Sequence, residues 1–208
     1  MLALATTSFI EPAIASQIRA EDALKELETK GRAPKTGYDR DLFGTPWSDL
    51  DRNGCDTRND ILERDLVAAG LVRDGDRCTI VTGVLIDPYS GERIEFVRGR
   101  VSSLAVQIDH VVSLSNAWQT GAFRWTSERL REFANDPLNL LAVKGSLNSQ
   151  KGDGDAATWL PPRKGFRCLY VARQIAVKKR YALWVTKPER AAMKRILARC
   201  PEQKLPVR

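Results

Sequence analysis

Histidine occurs once in the 208 residues, at position 110, so any chemistry that needs an imidazole rests on that residue. The four cysteines, Cys55, Cys78, Cys168 and Cys200, include no C-x-x-C pair. Zinc sites usually draw their thiolates from close pairs, so this spacing argues against zinc held by cysteine. No apolar run reaches the roughly 20 residues that a helix needs to cross a bilayer. Internal repeats and low-complexity segments are also missing. Acidic residues are scarce at the end of the chain: residues 161–208 hold 14 Lys/Arg and 2 Asp/Glu, a net +12, against −5 for the first 160. A basic third on an otherwise mildly acidic chain points to a polyanionic partner, most commonly nucleic acid; the alternative is a solvated helix face.

With 43% hydrophobic and 28% charged residues, the composition is that of a globular protein long enough to bury a sizeable core. The cysteines read as two disulfides, which implies an oxidising compartment. Of three connectivities, Cys55–Cys78 with Cys168–Cys200 is favoured, because each bond closes a loop within one half of the chain; four reduced core thiols are the alternative. Residues 1–14 are mostly small and apolar, and Ala13-Ile14-Ala15 fits an A-x-A cleavage pattern. Residues 1–15 are therefore expected to be a signal-peptide remnant, and the protein to be secreted.

The chain is expected to divide into an N-terminal helix and linker over residues 16–37, a main domain over 38–200 and a tail over 201–208. Ile18, Ala23, Leu24 and Leu27 mark the first helix, and Gly31–Thr36 reads as linker. A helix is expected over 58–66. Strands are expected over 79–86 and 93–97, joined by a hairpin loop at Asp87-Pro88-Tyr89-Ser90-Gly91-Glu92, and a third over 106–113. Short helices at 114–118 and 127–133, the latter capped by Ser127, precede a strand at 138–143. Residues 147–151 lie at a loop or helix start. Two basic helices, 166–183 and 188–200, complete an α+β pattern, with Pro188 suited to a first turn.

The chemically informative stretch is 106–151. Hydrolysis of a phosphodiester needs an activated water, neutralisation of the transition-state charge and help for the leaving oxygen. Histidine, with an ordinary pKa of about 6.5, is the natural base near neutral pH. A hard divalent metal held by oxygen ligands can serve the other two needs. Neighbouring strand residues face opposite ways, so Asp109 and His110 can share a site only where the strand ends or twists.

Asp109-His110-Val111-Val112, Asn135-Asp136-Pro137-Leu138-Asn139-Leu140, Asn148-Ser149-Gln150-Lys151-Gly152-Asp153 and Trp159-Leu160-Pro161-Pro162 together resemble the HNH endonuclease family, built on a ββα-metal finger. The similarity is greater to a secreted actinobacterial branch related to the C-terminal nuclease domain of the GmrSD restriction enzyme. It extends over roughly residues 38–200, including Asn53-Gly54-Cys55-Asp56-Thr57-Arg58. The resemblance implies an α+β fold with a ββα finger core, a preceding β-hairpin and flanking helices. It implies His110 as general base, Asp109 and Asn148 as ligands of one Mg²⁺ or Mn²⁺, and Asn139 as the residue that shapes the finger and helps orient the histidine. Lys151 is expected to contact a phosphate or support the metal site. The 29 positions from His110 to Asn139 exceed the spacing of the most compact fingers, and the insertion is expected to pack over the site.

Arg58 is expected to grip substrate phosphate, with a helix-surface salt bridge as the alternative. The run Asp49-Leu50-Asp51-Arg52-Asn53-Gly54 with Asp60 partly matches a calcium loop. The cations from Arg163 to Arg199 are expected to track the backbone of DNA, with RNA a further option, and with little sequence specificity. The leading expectation is a metal-dependent endonuclease acting on DNA. The alternative is a non-catalytic, disulfide-stapled, secreted nucleic-acid-binding or cell-surface module.

Overall fold

Two antiparallel sheets and seven α-helices make an α+β fold in the computed structural model, which describes residues 18–74 and 77–207. The expected signal remnant lies outside the described residues. A three-stranded sheet has the order β1 (Leu66–Asp74), β2 (Arg77–Ile86), β3 (Arg93–Val97). A two-stranded ribbon pairs β4 (Val106–His110) with β5 (Leu140–Lys144) in a register that sets Asp109 against Leu141 and His110 against Leu140. The helices are α1 (Ala20–Glu26), α2 (Thr57–Asp65), α3 (Leu114–Gln119), α4 (Ser127–Ala134), α5 (Gly145–Lys151), α6 (Arg167–Tyr181) and α7 (Lys187–Leu197). The ribbon followed directly by α5 is a strand–strand–helix unit, with α3 and α4 inserted between its strands.

The ribbon divides the interior because strand side chains alternate faces. Leu141 and Val143 enter a core with α1, α6 and α7, where Tyr89, Tyr170, Ile175 and Met193 are buried. Val106, Ile108, Leu140 and Ala142 enter a second core with Ile61 and Leu62 of α2 and Ile80, Leu85 and Phe96 of the sheet. A third, aromatic core gathers Phe43, Leu114, Leu130, Phe133 and Tyr181 around α3, α4 and α6. The inserted segment therefore has its own apolar anchorage and holds its position next to the end of β4.

Several local expectations change. Leu66–Asp74 is a strand although its Val-Ala-Ala-Gly run has weak strand propensity. Pairing with the ten-residue β2 decides it, through a bulge between Val67 and Leu71 at which Ala68 takes φ 52°. Strand β4 stops at His110, because beyond it the Asn139 side chain takes over the hydrogen bonding. Thr126, not Ser127, caps α4, its side chain accepting from the Arg129 N–H. Asp56 caps α2, and Thr186 with Glu189 forms a capping box on α7 that has Pro188 in its first turn.

Both disulfides have the favoured connectivity, with Cα separations of 4.9 Å for Cys55–Cys78 and 6.4 Å for Cys168–Cys200. They close sequence separations of 23 and 32 residues, and loops of that size stabilise a fold by about 3–4 kcal/mol each in the chain-entropy account. The first joins the loop before α2 to β2; the second ties the start of α6 to the end of α7.

The segment read as a linker has firm attachments. Arg190 on α7 donates to the Leu24 and Leu27 carbonyls at the end of α1. Trp184 donates to the Gly31 carbonyl, Ala33 N–H to the Gln119 carbonyl, and Arg32 pairs with the buried Asp155 at 2.7 Å. These contacts steer residues 31–37 across the molecule and deliver Tyr38–Trp47 to the mouth of the β4–β5 ribbon.

Candidate active site

Asp109 and His110 end β4 and point to opposite faces of the ribbon, as strand geometry requires, yet both line one cleft at its end. That cleft, about 220 Å³, is walled by Tyr38, Arg40, Ile108, Ser113, Leu114, Asn148, Gly152 and Asp153 as well. Asn148 comes from α5 and Ser113 from the N-cap of α3. The strand end, the start of the insertion and the helix after β5 thus meet at one place.

His110 is 8% exposed, and Nε2 lies 2.8 Å from the Ala134 carbonyl oxygen at the end of α4. A carbonyl only accepts, so Nε2 carries the proton and Nδ1 is the basic nitrogen. The Trp47 indole stacks on the ring with centroids 6.0 Å apart and planes 16° apart. Burial pushes the imidazole pKa down to about 4, against a smaller upward pull from the Ala134 hydrogen bond. The ring is therefore neutral near pH 7 and able to accept a proton. Trp47 itself takes φ 59°, a region bulky residues rarely occupy, at a local cost of about 1–3 kcal/mol.

Asp109 is 4% exposed and carries two donors. Lys151 Nζ lies 2.8 Å from one carboxylate oxygen, and the Tyr89 hydroxyl makes a short hydrogen bond to the other. Burial first, then the adjacent carboxylate, raises the Tyr89 pKa well above its usual value, so it remains a proton donor. Lys151 also donates to the His110 carbonyl at 2.8 Å, and its side chain is 0% exposed. Its ammonium is committed to these two acceptors, and Lys151 does not line the cleft.

Asn139 is fully buried and behaves as a piece of backbone. Its Oδ1 accepts from Val112 N–H at 2.8 Å, its Nδ2 donates to the Val112 carbonyl at 3.1 Å, and its own carbonyl accepts from Val111 N–H. It fastens the chain leaving His110, while the imidazole itself is hydrogen-bonded to the Ala134 carbonyl. Asn148 donates from Nδ2 to Gln107 Oε1 at 2.9 Å, which turns its carbonyl oxygen into a potential ligand. One carboxylate and one amide oxygen line a common cleft, the donor types a hard cation prefers, and both Asp109 oxygens already accept from Lys151 and Tyr89. Among the described residues no group of three or more His, Cys, Asp or Glu is placed to hold a metal.

Arg58 is not brought to this cleft. Its guanidinium is half-buried and donates to the Val106 carbonyl at 3.0 Å, at the opposite end of β4. Nor do the loop residues 49–60 form an open cation cage. The Asp49 and Asp51 carboxylates accept from the loop's own Asn53 and Gly54 N–H groups, and Asp60 accepts from Asn53 Nδ2. Of the basic third, Arg173 and Lys178 are core residues: Arg173 donates to the Leu138 carbonyl, and Lys178 pairs with Glu189 at 2.8 Å, both fully buried. Lys164, Lys187, Lys194, Arg195 and Arg199 remain exposed.

Sequence reasoning missed Tyr89, Trp47, Tyr38 and Arg40. Tyr89 was legible only as a hairpin-loop residue, and the other three lie beyond the expected linker in the first ten residues of the main domain, tens of residues from His110. No local periodicity could have paired them with it.

A cleft formed from a strand–strand–helix unit, with a neutral base next to a buried carboxylate, has the chemistry of a hydrolytic site. The C-terminal domain of the GmrSD restriction endonucleases matches residues 56–196 as a family model. The chain belongs to that family, and membership points to a nuclease-type function on nucleic acid. A protein of Arthroderma benhamiae, described as an uncharacterized secreted protein, is 36% identical over 191 residues, spanning 91% of this chain and 88% of its own. Together with two disulfides, that likeness is consistent with an extracellular protein.

Proposed function

We propose that this protein is a secreted, metal-dependent HNH-type endonuclease that hydrolyses DNA phosphodiester bonds with little sequence preference. The observation that carries the reading is the meeting of Asp109, His110 and Asn148 on one cleft, with the imidazole neutral and oriented by the Ala134 carbonyl. His110 Nδ1 takes a proton from a water as its oxygen bonds to phosphorus. The bond from phosphorus to the leaving sugar oxygen breaks, and that oxygen is protonated from solvent. Asp109 and Asn148 would hold one Mg²⁺ or Mn²⁺, whose chemistry is to neutralise charge on the phosphate and the leaving oxygen. Lys151 and Tyr89 fix the Asp109 carboxylate, and Asn139 fixes the chain that leaves His110. Exposed cations of α7 supply backbone contacts, which bind without reading sequence.

Plasmid DNA incubated with Mg²⁺ or Mn²⁺ should be nicked or cut by the wild-type protein. Chelator should abolish cleavage, and His110→Ala should reduce it by at least about 10²-fold, the usual scale for loss of a general base. Binding of DNA that is indifferent to chelator and to His110, with no cleavage in any metal, would refute the enzymatic reading.

A further inference from the structure

The charged groups around the cleft are not equally satisfied. Asp109 is paired with Lys151 at 2.8 Å, and Asp153 with Lys35 at 2.9 Å. Arg40 forms no ion pair with any described residue, although Asp39 and Asp41 flank it in sequence. The Asp39 side chain is turned inward to cap the short turn Arg40–Phe43, accepting from Asp41 N–H at 2.9 Å. Arg40 lines the cleft that holds Asp109, His110 and Asn148. It also lines a narrower crevice on the other side of His110, with Trp47 and Ala134. Arg40, an exposed residue, therefore lines the mouth of the site with no ion-pair partner among the described residues.

Its backbone is well anchored. Phe43, one turn on, is 2% exposed, with its ring 6.3 Å from those of both Tyr38 and Phe133. The turn itself is exposed apart from Phe43, whose buried ring anchors its backbone, and an arginine held there presents a planar fork of donors that suits two oxygens of a phosphate. The other two cations expected near the phosphate are committed elsewhere: Lys151 lies under Asp109, and Arg58 is on the Val106 carbonyl. Arg40 also lies outside residues 56–196, the part of the chain that the family match covers.

We infer that Arg40, carried to the cleft by the N-terminal segment, is the cation that grips the phosphodiester being cleaved, through its non-bridging oxygens. The inference rests on the nuclease reading but concerns a separate contact, and the two can fail separately. The N-terminal strap is then part of the site and not a tether to it: Trp47 covers the base and Arg40 holds the substrate.

The test uses the full chain with its disulfides intact. Single-turnover cleavage of a DNA duplex in Mg²⁺ or Mn²⁺ would be compared for wild type, Arg40→Ala, Arg40→Lys and the control Arg93→Ala, an exposed hairpin cation. Calorimetric titration in chelator with thymidine 3′,5′-bisphosphate would run alongside, and melting curves would verify folding. Expected are a loss of about 10²-fold in cleavage for Arg40→Ala, partial recovery for Arg40→Lys, and wild-type behaviour for Arg93→Ala. Bisphosphate binding should weaken by about tenfold in Arg40→Ala. If wild type cleaves and folded Arg40→Ala cleaves and binds within about twofold of it, the Arg40 assignment is wrong and the nuclease reading stands. If wild type cleaves nothing in any metal but loses bisphosphate binding on Arg40→Ala, the nuclease reading fails and the anion site stands.

Discussion

Lys151→Met tests whether this lysine supports the site from beneath or faces the substrate. In the structure its ammonium is 0% exposed and divided between the Asp109 carboxylate and the His110 carbonyl, each at 2.8 Å. Methionine has nearly the same length and no charge, so the substitution leaves little cavity. What it leaves is a carboxylate, 4% exposed, with Tyr89 as its remaining donor. Removing one member of such a buried pair costs about 3–5 kcal/mol. The comparison is Lys144→Met, whose partner Glu92 is 2.7 Å away but half exposed; an exposed pair of that kind contributes about 0–1 kcal/mol. In a protein of this size each kcal/mol moves the melting temperature by about 2–4 °C, so Lys151→Met should melt roughly 6–20 °C lower and Lys144→Met a few degrees at most. Scanning calorimetry in chelator, with the disulfides oxidised, measures both. A cycle with Asp109→Asn should show coupling of about 1–3 kcal/mol between the two positions. If Lys151→Met melts within about 2 °C of Lys144→Met, the ammonium is solvated in the protein, and the supporting role assigned to it is wrong.

Three further outcomes follow from the structure. Trp47→Ala removes the indole stacked on His110, and the single histidine gives one unambiguous ring signal in NMR. Its titration midpoint in metal-free protein should rise from about 4 towards 6.5, so that the ring gains its proton at higher pH than in wild type; an unchanged midpoint would mean that Trp47 does not shield it. Mass spectrometry of unreduced protein should find it lighter than the reduced form by four hydrogens. Replacing Cys168 and Cys200 by alanine should lower stability by about 3–4 kcal/mol, measured by urea unfolding.

Much of the site was readable because its chemistry is carried by residue types at fixed local positions. Asp109 and His110 are neighbours at a strand end, Asn148 and Lys151 lie one helical turn apart, and Asn139 opens the returning strand. The β2–β3 hairpin was equally legible, since Pro88 and Gly91 punctuate two runs rich in β-branched residues. Strand β1 was not, because its Val-Ala-Ala-Gly run acquires strand character only by pairing with β2. Nor was the commitment of Arg58, since its acceptor is a backbone carbonyl 48 positions away and any carbonyl could have served.

The sequence by itself determined the chemical set: one imidazole, its neighbouring carboxylate, two asparagines, a lysine, a basic C-terminal third and cysteines spaced for two loops. The single imidazole, the basic third and the cysteine spacing follow from composition; the carboxylate, asparagines and lysine are the set that the resemblance to the HNH endonucleases implies. Only the tertiary structure decided which cations are spent and which remain available. Lys151 is drawn under Asp109 because a buried carboxylate needs a compensating charge. Arg40 stays uncompensated because Phe43 and Asp39 anchor its turn without engaging the guanidinium. Burial and long-range pairing fix those assignments, and neither has a period that a linear chain displays.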